Sequence, residues 1–352
     1  MSADLLAFLI ALSASLLLTV PVRALAIRMG MVDLPGPRKV HLQPIPLLGG
    51  LAIYGGVMIA IFTAFDGPAR AQSIGIVTGA TLVAAVGFLD DRGWLHHQIK
   101  LFVGMPLAAA ILLASGVHAN VCETLLGSHI GYWLDAALTV VWVVGITASF
   151  SILDHMDGLC AGVAAMASVF FAILAYLNGQ TVVTILAAAT LGAATGFLRW
   201  NFKPAKIFMG DGGAMFLGFL MATLALKLRL EHATNLAGWL APVLILSPTI
   251  FDTTLVTISR SRRGLLPFAT PGKDHSAHRL ANLGFGQRGA VLTMYLAGAV
   301  CGGAGVLVTY LTTLQAAIVS GMVFVLMLPG IMLLEHAPYE KQKSPNKTAT
   351  TT

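Results

Sequence analysis

The sequence predicts an all-α polytopic integral membrane protein, and three observations predict it. The 352 residues are 57% apolar and only 10% charged, with a mean hydropathy of +0.84; water-soluble domains carry roughly 25% charged residues. Apolar runs recur along nearly the whole length, long enough to cross a bilayer as helices of about 20 residues. The basic residues fall almost entirely in alternate gaps between those runs. A disordered chain, a secreted disulfide scaffold and a cytosolic enzyme are excluded. The three cysteines, Cys122, Cys160 and Cys301, form no C-x-x-C pair and suggest neither a disulfide framework nor a zinc site.

The first run, Leu5 to Val20, follows Asp4 rather than a basic residue. It therefore reads as a retained span rather than a secretory signal, despite the cleavage-like Ala24-Leu25-Ala26. Apolar segments near residues 5–21, 48–65, 74–89, 101–115, 131–150, 161–177, 182–198, 214–226, 237–258, 290–311 and 314–334 make about eleven transmembrane helices. They form one membrane-embedded domain, residues 1–336, followed by a polar cytoplasmic tail at 337–352 that is expected to be disordered.

Of the 21 Lys and Arg residues, 18 lie in the loops after spans one, three, seven and nine and in the tail. Arg70, Lys227 and Arg229 alone fall on the other face. The positive-inside rule makes the basic face cytoplasmic, with the N-terminus outside and the C-terminus inside. The net charge of +6 is thus a topological signal, and no nucleic-acid partner is expected. The same basic loops hold the Asp, His, Gly and Pro clusters. A channel or carrier keeps its special residues near the bilayer midplane; gathering them at one surface points to a reaction between a water-soluble substrate and a lipid.

Five clusters carry chemistry. The first, Asp33-Leu-Pro-Gly-Pro-Arg-Lys-Val-His41 followed by Pro44 to Gly50, offers Arg38, Lys39 and His41 to a diphosphate, although alone it reads equally as a positive-inside loop. The second places Asp90 and Asp91 at the end of an apolar helix. Adjacent carboxylates there are costly unless a cation neutralises them, and a hard divalent ion bound with substrate phosphates does so; pairing with Arg92 is the plainer alternative. The third, Ser149 to Leu159, holds Asp154 and Asp157, which share a face if the segment is helical. The fourth, Asn201 to Ala214, sets Asp211 among three glycines at the start of a new helix, where backbone N–H groups and a metal can approach phosphate. The fifth, Pro267 to Leu280, contains His275, His278 and Arg279. The two histidines resemble a metal pair, but no neighbouring Cys or third His completes a zinc site, so phosphate binding is the better reading. Asp252, two turns before Arg260, is placed facing the site; Asp135 is as readily structural.

In motif order from Asp33 to Arg288, the sequence resembles the polyprenyl-phosphate N-acetylhexosamine-1-phosphate transferase family, glycosyltransferase family 4. The most specific stretches are Gly87-Phe-Leu-Asp-Asp91, Asp157-Gly-Leu159 and Pro204-Ala-Lys-Ile-Phe-Met-Gly-Asp211. The resemblance implies transfer of a sugar 1-phosphate, GlcNAc-1-phosphate foremost, from a UDP-sugar to undecaprenyl phosphate with release of UMP, at the cytoplasmic face of a bacterial plasma membrane. It implies Mg²⁺ or Mn²⁺ as cofactor. Asp211 would ligate the metal, with Asp90, Asp91 and Asp157 assisting, and Asp90 or Asp91 would deprotonate the lipid phosphate. Asp154 and Asp157 would serve the nucleotide, Phe208 would stack on uracil, and Lys39, His41, His275, His278 and Arg279 would hold phosphates. The expected partners are the UDP-sugar, undecaprenyl phosphate and membrane lipid, with a homodimer as a possible assembly. The chain departs from the family pattern at Ala148 and Ser151, where two Asn are usual, at His155, where Gly is usual, at Gly212 and Ala214, which lack the usual hydroxyls, and at Ala277, which replaces a His. The alternatives are the same reaction with another UDP-N-acetylsugar and, from other classes, a transporter or an inactive scaffold.

Overall fold

A computed structural model describes residues 2–35, 43–65, 67–266 and 272–338. All eleven apolar segments are helical. In chain order the helices are α1 (Ala3–Arg28), α2 (Gly50–Ala64), α3 (Gly67–Asp91), α4 (His97–Ile99), α5 (Met105–Ala114), α6 (Cys122–Leu126), α7 (Ser128–Leu153), α8 (Leu159–Leu177), α9 (Thr181–Asn201), α10 (Gly210–Lys227), α11 (Asn235–Ile245), α12 (Ser247–Arg262), α13 (Ser276–Leu280), α14 (Gly286–Val308) and α15 (Thr313–Glu335). Among the described residues, seven helical spans are long and apolar enough to cross a membrane, eight if the bent pair α11–α12 counts as one, and two shorter apolar helices, 50–64 and 100–114, accompany them. The protein is an all-α polytopic membrane protein.

The bundle is built around α10. Every residue of this helix except Asp211 and Lys227 is buried, as expected of a helix apolar on all sides. It packs against α2, α3, α7, α8 and α9. Small residues set the approach: a Cβ on Gly87 of α3 would lie 2.6 Å from the backbone of Asp211 and Gly212. Close backbone contact of this kind is how apolar helices associate in lipid, where burial against another apolar surface provides little drive.

Two features differ from the sequence expectation. The segment read as one helix over 237–258 breaks at Leu246 and bends by 68°, because Pro248 has no N–H to carry the first helix onward and instead opens the second. The all-α reading also gains a two-residue antiparallel ribbon, β1 (Val32–Asp33) with β2 (Ile45–Pro46). Pro46 and Gly49 then hydrogen-bond the backbone of Phe208, which fixes this ribbon beside the start of α10.

Candidate active site

The polar residues converge where α10 begins. Gly210 has φ +75°, and a Cβ there would meet the Asp91 carboxylate at 2.5 Å. Glycine therefore allows α3 to end directly over the start of α10. From that position Asp91 accepts the backbone N–H groups of Asp211 at 2.8 Å and Gly212 at 3.0 Å, capping one helix with the last residue of another. The Asp211 carboxylate accepts from Ser151 Oγ at 2.5 Å. It also binds the Lys100 ammonium, which reaches Asp90 Oδ2 at 2.6 Å. One cation thus already bridges two of the predicted carboxylates.

Asp154 and Asp157 enter from a turn. The expected shared helical face is replaced: α7 ends at Leu153, Asp154 has φ −79° and ψ +55°, and Gly158 is left-handed at φ +81°. A β-carbon-free residue is needed there, because the chain must reverse before α8 starts. Asn201 holds this turn by accepting from Gly158 N–H at 3.0 Å while donating to Ile207 O at 3.0 Å. Asp157 accepts from Ala205 N–H at 3.1 Å. The outcome still suits the sequence reading, since Asp91, Asp154, Asp157 and Asp211 all line one cavity of about 820 Å³.

Burial, followed by the Asp211, Asp91 and Asp157 carboxylates, pushes the Asp154 carboxyl up to about 8. Loss of hydration is the larger cause and like-charge repulsion the second, and both favour the neutral carboxyl. Four carboxylates and Ser151 line this part of the cavity beside His155 and Met156, and oxygen donors are the type that Mg²⁺ or Mn²⁺ selects. Arg23, Lys203, Lys206, Lys273 and His278 line the same cavity. Carboxylates and basic side chains in one cavity suit a metal-bound polyphosphate.

Other predicted residues fall elsewhere. Phe208 lines the cavity, whereas Asp90, His275 and Arg279 do not. Arg279 is fully buried. Its guanidinium donates to the carbonyls of Asp274 and Leu334, to Ser259 Oγ and to Glu335, so it joins α13 to α12 and α15 instead of facing phosphate. His275 is buried on Asp252, with Nδ1 2.9 Å from Oδ2. Asp274 binds Arg260 and Arg263; burial pushes this carboxyl up, but the hydrogen bonds and charge of Arg260, then Arg263, outweigh it and bring it to about 2. Asp135 is structural, accepting backbone N–H groups of Val121, Cys122 and Glu123. Lys39 and His41 lie outside the described residues.

Sequence reasoning missed Lys100 as a bridge, although it stands only nine residues after Asp91. It missed Arg23, for which the first span gives no signal. It also treated His155 only as a departure from a pattern. That imidazole stacks on His275 at 4.0 Å between centroids and lies 4.7 Å from His278. Burial, then the two neighbouring histidines, lowers its pKa well below the usual value.

Residues 73–229, the stretch from α3 to just past α10, match the family model for glycosyl transferase family 4. A Bacillus subtilis (strain 168) protein, named probable undecaprenyl-phosphate N-acetylglucosaminyl 1-phosphate transferase, is 35% identical over 83% of this chain and 81% of its own length. The chain belongs to glycosyl transferase family 4. The decaprenyl-phosphate N-acetylglucosaminephosphotransferase of Mycolicibacterium smegmatis is 34% identical to this family 4 protein, covering 78% of the chain and 74% of the relative. The undecaprenyl-phosphate alpha-N-acetylglucosaminyl 1-phosphate transferase of Escherichia coli O157:H7 is 28% identical over 82% and 79%.

Proposed function

We propose that this protein transfers GlcNAc-1-phosphate from UDP-GlcNAc to undecaprenyl phosphate, releasing UMP, at the cytoplasmic face of a bacterial plasma membrane. The observation that carries the reading is the cavity: five carboxylates, those of Asp33, Asp91, Asp154, Asp157 and Asp211, share about 820 Å³ with Lys, Arg and His side chains. Relatives named for this transfer match most of the chain. The basic bias of the loops supports the cytoplasmic orientation and eleven crossings.

An oxygen of the lipid phosphate attacks the β-phosphorus of the donor, and the bond from that phosphorus to the bridging oxygen breaks as UMP leaves. Such transfer needs alignment and charge neutralisation more than covalent help. Asp211 and Asp157 would hold a divalent ion such as Mg²⁺ or Mn²⁺, which would neutralise phosphate oxygens and polarise the reacting phosphorus. Asp91 lines the cavity and Asp90 does not. We therefore assign Asp91 to accept the lipid-phosphate proton and Asp90 to hold Lys100. Arg23 and Lys273 would compensate charge on the donor diphosphate and the departing UMP, the His278 imidazole would donate a hydrogen bond, and Phe208 offers a ring to uracil. The acceptor's tail would run between helices into lipid.

The testing experiment incubates purified protein with undecaprenyl phosphate, Mg²⁺ and a panel of UDP-sugars and measures UMP. UMP release that is fastest with UDP-GlcNAc supports the reading. Release that favours another UDP-N-acetylsugar moves the specificity, and none with any donor removes the proposal.

A further inference from the structure

We propose that His155, Asp252 and His275 form a site for one zinc-class, first-row transition-metal ion, separate from the carboxylates around Asp211. Three elements remote in sequence supply it: the turn after α7, the first half of α12, and the residue preceding α13. One nitrogen of each imidazole and one oxygen of Asp252 lie within 4.8 Å of one another. Three atoms so spaced sit at most about 2.8 Å from a common point, and zinc bond lengths of about 2.0–2.2 Å require each to close by roughly 0.6–0.8 Å.

His155 is the observation that points to a ligand. Both of its ring nitrogens are buried, and neither has a hydrogen-bond partner among the described residues. Buried polar groups are almost always paired, and each one left unmet is destabilising. An apolar side chain would fill the same space without that loss. His155 and His275 are stacked, with planes 27° apart at 4.0 Å; imidazole lone pairs lie in the ring planes, so one ring must turn for both to meet a shared ion.

The other two ligands are already oriented. Asp252 Oδ1 accepts from the Ser276 N–H at 2.7 Å and from its hydroxyl at 2.5 Å, the type of outer contact that fixes a ligating carboxylate. Asp252 Oδ2 shares a proton with His275 Nδ1 at 2.9 Å. Binding of M²⁺ replaces that proton, which leaves to solvent as the bonds from His275, His155 and Asp252 form. Arg260, 3.4 Å from His275 Nε2 on the far side of the ring, is held by Asp274. Two imidazoles with one carboxylate favour zinc-class ions, whereas Mg²⁺ takes oxygen donors. The site is therefore distinct from the expected Mg²⁺ position in chemistry, although His155 borders the same cavity. It would fasten the turn carrying Asp154 and Asp157 to α12 and to the segment carrying His278.

The test uses the full, tag-free chain in detergent, stripped of metal and titrated with Co²⁺ as a spectroscopic probe and with Zn²⁺ in competition. The expected result is one Co²⁺ per chain with ligand-field absorption, displaced by Zn²⁺ and accompanied by release of about one proton. His155→Leu should lose the absorption while eluting as a folded, monodisperse protein, and Asp211→Asn should retain it. If His155→Leu does not fold, His155→Gly reads the same loss. No ligand-field band in the wild type, a band unchanged without His155, or a band lost only in Asp211→Asn would each overturn the proposal.

Discussion

At the scale of single residues, the two adjacent carboxylates of α3 have different surroundings. Asp91 faces the cavity and receives two backbone N–H groups from α10, while Asp90 is turned to Lys100. Asp91→Asn keeps the shape but removes the charge and sets an amide N–H₂ against a backbone donor. We expect UMP release to fall at least about 100-fold, as when a catalytic proton acceptor is lost. Asp90→Asn should cost less, about 10-fold, because Asp211 still binds Lys100. Equal losses in a UMP assay would contradict the division of roles.

Asp274 is a structural counterpart outside the catalytic reading. It is 2% exposed and binds two arginines. Asp274→Asn leaves a buried guanidinium without its charge partner and should destabilise the fold by about 3–5 kcal/mol. The folded carboxyl, at about 2, lies below the ordinary value of about 3.9. Its stabilisation is therefore complete above about pH 4 and is lost as pH falls towards about 2. Thermal unfolding of both proteins should show a constant gap from neutral pH down to about pH 5, narrowing only below about pH 4.

At the scale of elements, the position of Asp91 depends on how closely α3 meets α10. Gly87→Ala would put a methyl 2.6 Å from the Asp211 carbonyl and Gly212 Cα, which must move the helices apart and draw Asp91 from the N–H groups it caps. Overpacking of this kind costs about 1–3 kcal/mol. We expect a lower unfolding temperature together with at least a tenfold loss of UMP release. A wild-type rate would mean that the interhelical bond does not position Asp91.

The helices and the carboxylates were legible in sequence because both are local: an apolar run sets a span, and an Asp at its end is visible without the fold. Contacts made by the fold were less visible. His155 and His275 are 120 residues apart, so no spacing rule pairs them. Arg279 beside two histidines looked like a phosphate ligand, yet burial against Leu334 and Glu335 decides its partners. The bend at Leu246 left a trace in Pro248, but the apolar pattern continues through it.

For the whole molecule, α10 spans from the acidic site at Asp211 to the sparse basic end at Lys227, which gives the bundle two chemically unlike ends. Single cysteines at Lys203 and Arg262 should label with an impermeant maleimide from the cytoplasmic side alone, and one at Lys227 from the opposite side. Labelling of Lys203 and Arg262 from different sides would contradict the topology drawn from the basic bias.

The central claim is that the bond broken lies between the two phosphorus atoms of the donor. UDP-GlcNAc labelled at its β-phosphorus, incubated with the purified protein, undecaprenyl phosphate and Mg²⁺, tests it most directly. The account predicts that the label enters the lipid fraction, one atom for each UMP released, and that Asp211→Asn or excess chelator stops both. Label that stays water-soluble as UDP while sugar enters the lipid would mean transfer of the sugar alone, and would contradict the account.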